Sequence, residues 1–98
     1  MINETNDSLF KKSPDFVARK IAGEIVLIPL QRHLENVNSI YSLNEMGAVV
    51  WDAIDGKKKV SDIREELLGV FDVSPQTINT DLEVLLSQLV EIKAISSE

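Results

Sequence analysis

The residues of this chain that could carry chemistry are few and scattered. His33 is the single histidine and there is no cysteine, so no set of side chains has the spacing of a zinc site. The sixteen aspartates and glutamates are spread along the chain without a pair that stands out as a general acid and base. No glycine-rich phosphate loop and no nucleophile with a neighbouring base is present. The sequence therefore predicts a protein that is not an enzyme, with no catalytic, cofactor-binding or metal-binding residue.

The one local concentration of charge is basic. Lys57, Lys58 and Lys59 are consecutive in a chain whose formal net charge is −6. A solvated turn is the interpretation we favour for this run, and the alternative is a patch that binds an acidic partner. The negative net charge argues against nucleic acid as a partner, because affinity for DNA comes largely from cations that neutralise phosphates.

Length and composition limit the remaining possibilities. A chain of 98 residues is expected to form one domain. Its apolar runs are shorter than the ~20 residues that cross a bilayer, and its first residues lack the pattern of a secretory signal. These features predict a cytoplasmic protein without a membrane partner. Residues 1–15 are polar and unpatterned and are predicted to be a flexible tail, followed by a single domain over residues 16–98.

Three strands are predicted next. The segment FVARKIAGEIVLIP is rich in Val and Ile and is interrupted by Ala22-Gly23, which indicates a hairpin with strands at about 17–21 and 24–29. Pro29 cannot donate to a ladder, so it should lie at the end of its strand or on an edge. Alternating residues predict a third strand at about 37–43.

Three helices are predicted at about 45–54, 62–71 and 75–90. Their N-caps are assigned to Asn44, Ser61 and Ser74, and Gly56 is expected to hold a left-handed stop after the first helix. The apolar stripe of the second helix is predicted to include Val70. A short strand containing Ile92 and Ile95 is expected to follow as a wing against the sheet. The fold class is α+β and winged-helix-like, with an N-terminal three-stranded antiparallel sheet followed by three helices.

The second and third helices and their short connection form a helix-turn-helix, which often binds DNA. The third helix contains no Lys or Arg and carries Asp81 and Glu83. Those carboxylates would face phosphates without a cation beside them. The pattern therefore favours a partner other than DNA.

The stretch SLNEMGAVVWDAIDGKKKV and the two helices after it resemble the PqqD-like family, named for the pyrroloquinoline quinone biosynthesis protein D. The resemblance covers roughly Phe16 to Ile95. An LNxxGxxxW-type helix, a DG turn, a V-x-x-I helix and a final helix with an L-x-x-L core occur in order. The matching positions are Leu43, Asn44, Gly47, Trp51, Asp55, Gly56, Val60, Ile63, Leu67, Val73, Asp81, Leu82 and Leu89. The chain departs from the family at Lys93-Ala94, where family members often have glycine.

The resemblance implies a recognition element for ribosomally synthesised peptides. Such a domain is non-catalytic, binds the leader of a precursor peptide and presents it to a modifying enzyme, often a radical SAM enzyme. In the family the leader lies between the third strand and the third helix, where an extended peptide can add to a sheet edge. By resemblance the peptide-binding residues are Val37, Asn38, Ser39, Ile40, Tyr41, Ser42, Thr77, Asp81, Val84 and Gln88.

Several alternatives stay open from the sequence. The domain could instead serve protein–protein association or transcription as a winged helix without strong DNA binding. Trp51 and Tyr41 are interpreted as core residues, the latter with its hydroxyl at the rim, and His33 as a loop residue. An open strand edge or a swapped hairpin would also permit a homodimer. Neither the leader, nor its enzyme, nor the pathway, pyrroloquinoline quinone synthesis or another, follows from these residues.

Overall fold

The computed structural model describes residues 8–30 and 41–97, which contain five strands and three helices. The elements are β1 (Phe10–Lys12), β2 (Phe16–Ile21), β3 (Glu24–Pro29), β4 (Tyr41–Leu43), α1 (Glu45–Ala53), α2 (Val60–Val70), α3 (Pro75–Glu91) and β5 (Ile95–Ser97). Strands β2, β3 and β4 form an antiparallel sheet in that order. The predicted α+β class, with a three-stranded sheet ahead of three helices, is confirmed.

The β2–β3 hairpin is closed by a two-residue turn. Ala22 and Gly23 both have positive φ, 53° and 85°, as a type I′ turn requires. Pro29 is the last residue of β3, opposite Phe16, so its missing N–H falls at the end of the ladder as predicted. Residues 41–43 of the third predicted strand are confirmed as β4. Residues 37–40 of that strand and the predicted loop with His33 lie outside the described residues.

Side-chain caps begin two of the helices. Asn44 Oδ1 accepts a hydrogen bond from the Gly47 amide at 2.9 Å, and Ser74 Oγ accepts one from the Thr77 amide at 3.2 Å. The start of α2 was predicted two residues too late, at 62 instead of Val60. The cap is Lys59 rather than Ser61, and Asp62 in the first turn accepts from the Lys59 amide at 3.1 Å. Asp62 therefore does the capping that the sequence analysis assigned to Ser61.

Two residues with positive φ follow helix ends. Helix α1 ends at Ala53, with Ile54 already extended, so Gly56 is not the helix stop itself. Its predicted positive φ is nevertheless present, at 79°, in the turn that follows. After α3 the left-handed position is held by Lys93, with φ of 67°. The amide of Lys93 donates to the Val90 carbonyl and that of Ala94 to the Leu89 carbonyl, both at 2.9 Å. A lysine thus occupies a conformation that favours glycine.

The core lies between the β2–β3–β4 sheet and the three helices. Trp51 is buried, as predicted, and Tyr41 is half-buried against the core. Helix α3 buries Ile78, Leu82, Leu86 and Leu89, with Leu85 half-buried at the margin of this side. Val70 was wrongly assigned to the core. It is 59% exposed because the buried side of α2 follows the four-residue spacing of Ile63, Leu67 and Phe71, and Val70 does not fall on it.

Strands β1 and β5 form a second, two-stranded sheet. Phe10 lies opposite Ser97 and Lys12 opposite Ile95, and the Gly56 amide donates to the Phe10 carbonyl at 2.9 Å. The structure thus differs from the prediction of a tail over residues 1–15, because 8–15 pair with distant parts of the chain. The predicted wing strand also differs in the structure, because β5 pairs with β1 and not with the main sheet. Ile92, which was expected in that strand, is the C-cap of α3.

Candidate functional site

Strand β4 and helix α3 approach each other at the edge of the main sheet. The hydroxyl of Tyr41 on β4 donates a hydrogen bond to Oε1 of Gln88 on α3. Burial raises the pKa of Tyr41 above its ordinary value of 10.0, so the hydroxyl remains a protonated donor at neutral pH. Two of the predicted site residues, one from each element, are therefore in direct contact.

A groove of about 290 Å³ lies on this side of α3, facing the start of α1. Three of the four predicted helix residues line it, namely Asp81, Val84 and Gln88. Thr77 lies one turn earlier and does not line the groove, and its amide and Oγ1 are engaged with Ser74 in the helix cap. The structure thus brings most of the predicted helix positions together on one side of α3.

The strand positions are only partly described. Tyr41 reaches the rim of the groove through Gln88, and Ser42 is exposed on β4. Val37, Asn38, Ser39 and Ile40 lie outside the described residues. Strand β4 pairs with β3 on one side and has no strand on its other side within the described part of the chain. That side is where an added strand would have to pair.

The opposite wall of the groove comes from α1 and was missed as a binding surface. Asn44, Met46 and Gly47 form this wall, and Leu85 of α3 also lines the groove. Asn44 was predicted only as the N-cap of the first helix, and that assignment is confirmed. A signal was present, because these residues directly follow β4 in the chain and belong to the LNxxG segment.

Gly47 is needed where α1 meets the end of β4. A Cβ at this position would lie 3.0 Å from Cβ of Leu43, 3.3 Å from its Cδ2 and 3.4 Å from Oδ1 of Asn44. Leu43 is 2% exposed and cannot turn away. The glycine therefore lets the first turn of α1, which lines the groove, sit close to β4.

The groove combines apolar and acceptor groups. Val84 is 52% exposed, which leaves an unburied apolar surface between Asp81 and Gln88. Among the described residues of the lining, Asp81 is the single charged one, and the described ion pairs, Lys20–Asp52 and Lys58–Glu66, lie elsewhere. These described residues can hold an apolar side chain and hydrogen-bond donors, and they include no nucleophile with a neighbouring base.

The lysine run at 57–59 is organised by a carboxylate. Oδ1 of Asp55 accepts from the amides of Lys57 and Lys58, each at 2.9 Å. These hydrogen bonds, that from Lys57 first, hold the pKa of Asp55 below its ordinary value of 3.8. Lys58 Nζ lies 3.2 Å from Oε1 of Glu66. The run is therefore an ordered turn, in agreement with the favoured interpretation.

Within residues 8–30 and 41–97, no group of His, Cys, Asp and Glu side chains is placed to hold a metal ion. In the same part of the chain, no helix has the length and apolar character needed to cross a membrane.

Comparison with known families decides what kind of domain carries this groove. The family described as Coenzyme PQQ synthesis protein D (PqqD) matches residues 24–95, which include strand β4 and the two helices that line the groove, α1 and α3. The chain belongs to the PqqD family. The match begins at β3, so β1 and β2 of this PqqD-family chain lie before the matched region.

Solved structures show the same fold in other proteins. TbiB1 in complex with the TbiA(beta) leader peptide is similar with a TM-score of 0.73 and 23% identity, covering 88% of this chain and 94% of that one. The heterocyclase TruD is similar with a TM-score of 0.59 and 18% identity, covering 93% of this chain but 12% of its own. No curated protein matches the chain in sequence. At these identities the two structures establish the fold of the PqqD-family chain.

Proposed function

We propose that this PqqD-family chain binds the leader of a ribosomally synthesised precursor peptide and presents it to a modifying enzyme, without catalysing the modification itself. The observation that carries the proposal is the groove between the start of α1 and helix α3, next to the strand-free side of β4, with half-exposed Val84 in its wall. Family membership and the leader peptide bound by the similarly folded TbiB1 support it.

The leader would bind as an added strand. Its backbone would pair along Val37 to Ser42, so that main-chain hydrogen bonds supply affinity whatever the leader's side chains are. Side chains on one face of the leader would then contact the residues of α3, namely Thr77, Asp81, Val84 and Gln88. Specificity would come from this second set, because those residues differ in charge, shape and hydrogen bonding.

Val84 is the residue whose role is easiest to measure. Full burial of a valine side chain is worth about 1.5–3 kcal/mol, so covering its exposed half contributes about 1 kcal/mol. An aspartate in its place would lose that contact and add a charge one turn from Asp81. Together these effects correspond to a loss of affinity of about tenfold, since 1.4 kcal/mol is a factor of ten.

The experiment is a fluorescence anisotropy titration of labelled leader peptides from the gene neighbourhood of this chain. Val84→Asp is expected to weaken leader binding about tenfold. Val70→Asp is the matched control, because Val70 is 59% exposed on α2 and Val84 is 52% exposed on α3. Equal weakening by both variants, or no binding of any leader, contradicts the proposal.

The enzyme that receives the leader is proposed, by family resemblance, to be a radical SAM enzyme or another peptide-modifying enzyme. The second candidate function is protein–protein association as a winged helix without DNA binding. The short 71–74 connection between α2 and α3 is the observation that favours it. Both candidate functions assume that the chain does not bind DNA, and a gel shift tests this. We expect no tight binding to duplex DNA because α3 carries no Lys or Arg.

A further inference from the structure

A second depression lies at the C-terminal end of α3, beside β1 and β5. Its volume is about 540 Å³, against about 290 Å³ for the groove, and it shares no lining residue with it. Its walls include Lys11, Lys12 and Lys93, together with Val90 and all of β5. We refer to this depression and its three lysines as the lysine surface.

The charge of the lysine surface is opposite to that of the chain. Three lysines and one carboxylate, that of Asp15, line it, whereas the net charge of the chain is −6. Lys12 Nζ lies 5.2 Å from the centre of the Trp51 ring and is partly engaged there. Lys11 and Lys93 make no ion pair with any described residue. A local excess of cations in an acidic protein favours an acidic partner.

The backbone of β5 offers an edge next to these lysines. Strand β1 is bonded on both sides, to β5 and to the segment after α1, where the Gly56 amide donates to the Phe10 carbonyl at 2.9 Å. Strand β5 pairs only with β1 in the described part of the chain, so its outer edge is open. Ser96 and Ser97 are exposed and small, and they leave room for an extended segment to approach.

The lysine surface and the groove can be occupied together. Gln88 lines the groove and Val90, which is 44% exposed, lines the lysine surface. Residues two apart on a helix point to different sides, about 200° around its axis. Helix α3 therefore separates the two binding surfaces, and a partner at one of them does not block the other.

We propose that the lysine surface docks an acidic, extended segment of the modifying enzyme, while the groove on the other side of α3 holds the leader. The segment would pair with the open edge of β5, and its carboxylates would lie near Lys11 and Lys93. This inference rests on the proposed function, because it assigns the surface to the enzyme to which the leader is presented. It gives the chain two surfaces for two partners.

The test uses a synthetic peptide of alternating glutamate and valine with blocked ends, followed by NMR of the whole chain. Saturable shifts are expected at the amides of 11–13 and 93–97. The double variant Lys11→Glu with Lys93→Glu should weaken this binding about tenfold. The double variant Arg19→Glu with Lys57→Glu is the matched control: each pair of changes takes the net charge from −6 to −10, since each replacement subtracts two. Lys12 is left in place because it covers Trp51.

Several results would overturn the inference. They are equal weakening by the two double variants, shifts centred on the lysine turn at 57–59, equal binding of a lysine–valine peptide, and no saturable shift. Concentration-dependent shifts of 93–97 without peptide would assign the edge to a second copy of the chain and also overturn it. A leader titration of the same variants separates the two proposals. If the unmodified chain binds the leader but not the acidic peptide, the inference alone is removed. If the unmodified chain binds no leader, the proposed function is removed.

Discussion

Two helical glycines, Gly47 in α1 and Gly69 in α2, should respond to the same substitution with opposite signs. Replacing glycine by alanine within a helix usually stabilises a protein by up to ~1 kcal/mol. At Gly69 the new Cβ would meet no atom within 4 Å, so that gain should be obtained. At Gly47 the new Cβ would lie 3.0 Å from Cβ of Leu43. Leu43 is buried, and its Cβ cannot move without moving the backbone of β4.

The sizes of the two effects follow from this geometry. Forcing an extra carbon into a packed site typically costs about 1–3 kcal/mol, which exceeds the helical gain. We expect Gly47→Ala to lower the free energy of unfolding by about 1 kcal/mol, and Gly69→Ala to raise it by ~0.5–1 kcal/mol. For a domain of this size, a change of 1 kcal/mol moves Tm by about 4–8 °C.

Urea unfolding followed by tryptophan fluorescence measures both variants. The single tryptophan, Trp51, is 4% exposed in the folded chain and becomes solvated on unfolding. The reasoning is refuted if Gly47→Ala is stabilised as much as Gly69→Ala. That result would mean that β4 and α1 can move apart, and that their close contact does not require glycine at position 47.

Three further predictions follow from single positions. Lys93→Gly should be about 1 kcal/mol more stable than Lys93→Ala in urea unfolding, because φ of 67° costs an alanine but not a glycine; equal stabilities would contradict the left-handed stop. The folded-state pKa of Asp55 is lowered, so its stabilisation is present above the unfolded pKa and is lost as pH falls through the folded one. The difference in urea midpoint between the unmodified chain and Asp55→Asn should therefore be present at about pH 6 and shrink below pH 3.8, and a pH-independent difference would count against it. Tyr41→Phe removes the hydrogen bond to Gln88 and should change leader affinity more than Tm, as measured by anisotropy and thermal unfolding; a change in Tm alone would assign Tyr41 to the core only.

Local chemistry explains which parts of the fold could be predicted. Asn44 and Ser74 cap helices through their own side chains, and Ala22-Gly23 forms the expected two-residue turn. Each of these features depends on residues a few positions apart, so the sequence displays it directly. The order of strands and helices follows from such signals together with apolar periodicity.

The features that were missed depend on distant parts of the chain. Strand β1 exists because Phe10 pairs with Ser97, and the residues FKK alone have no pattern that predicts a strand. In the same way, Met46 lines the groove because α1 is placed opposite α3, which is a tertiary relation. The α3 side of the candidate site could be predicted because Asp81, Val84 and Gln88 share one side of a single helix.

The central claim is that a leader peptide binds between β4 and α3, and an NMR titration of the whole chain with a leader from its gene neighbourhood tests it most directly. If the leader binds there, saturable changes in backbone amide chemical shift are expected, concentrated in residues 37–47 and 77–88. The amides of the lysine turn at 57–59 and of strand β5 should change little. Shifts confined to 57–59 or to 93–97, with the amides of β4 and α3 unaffected, would contradict it.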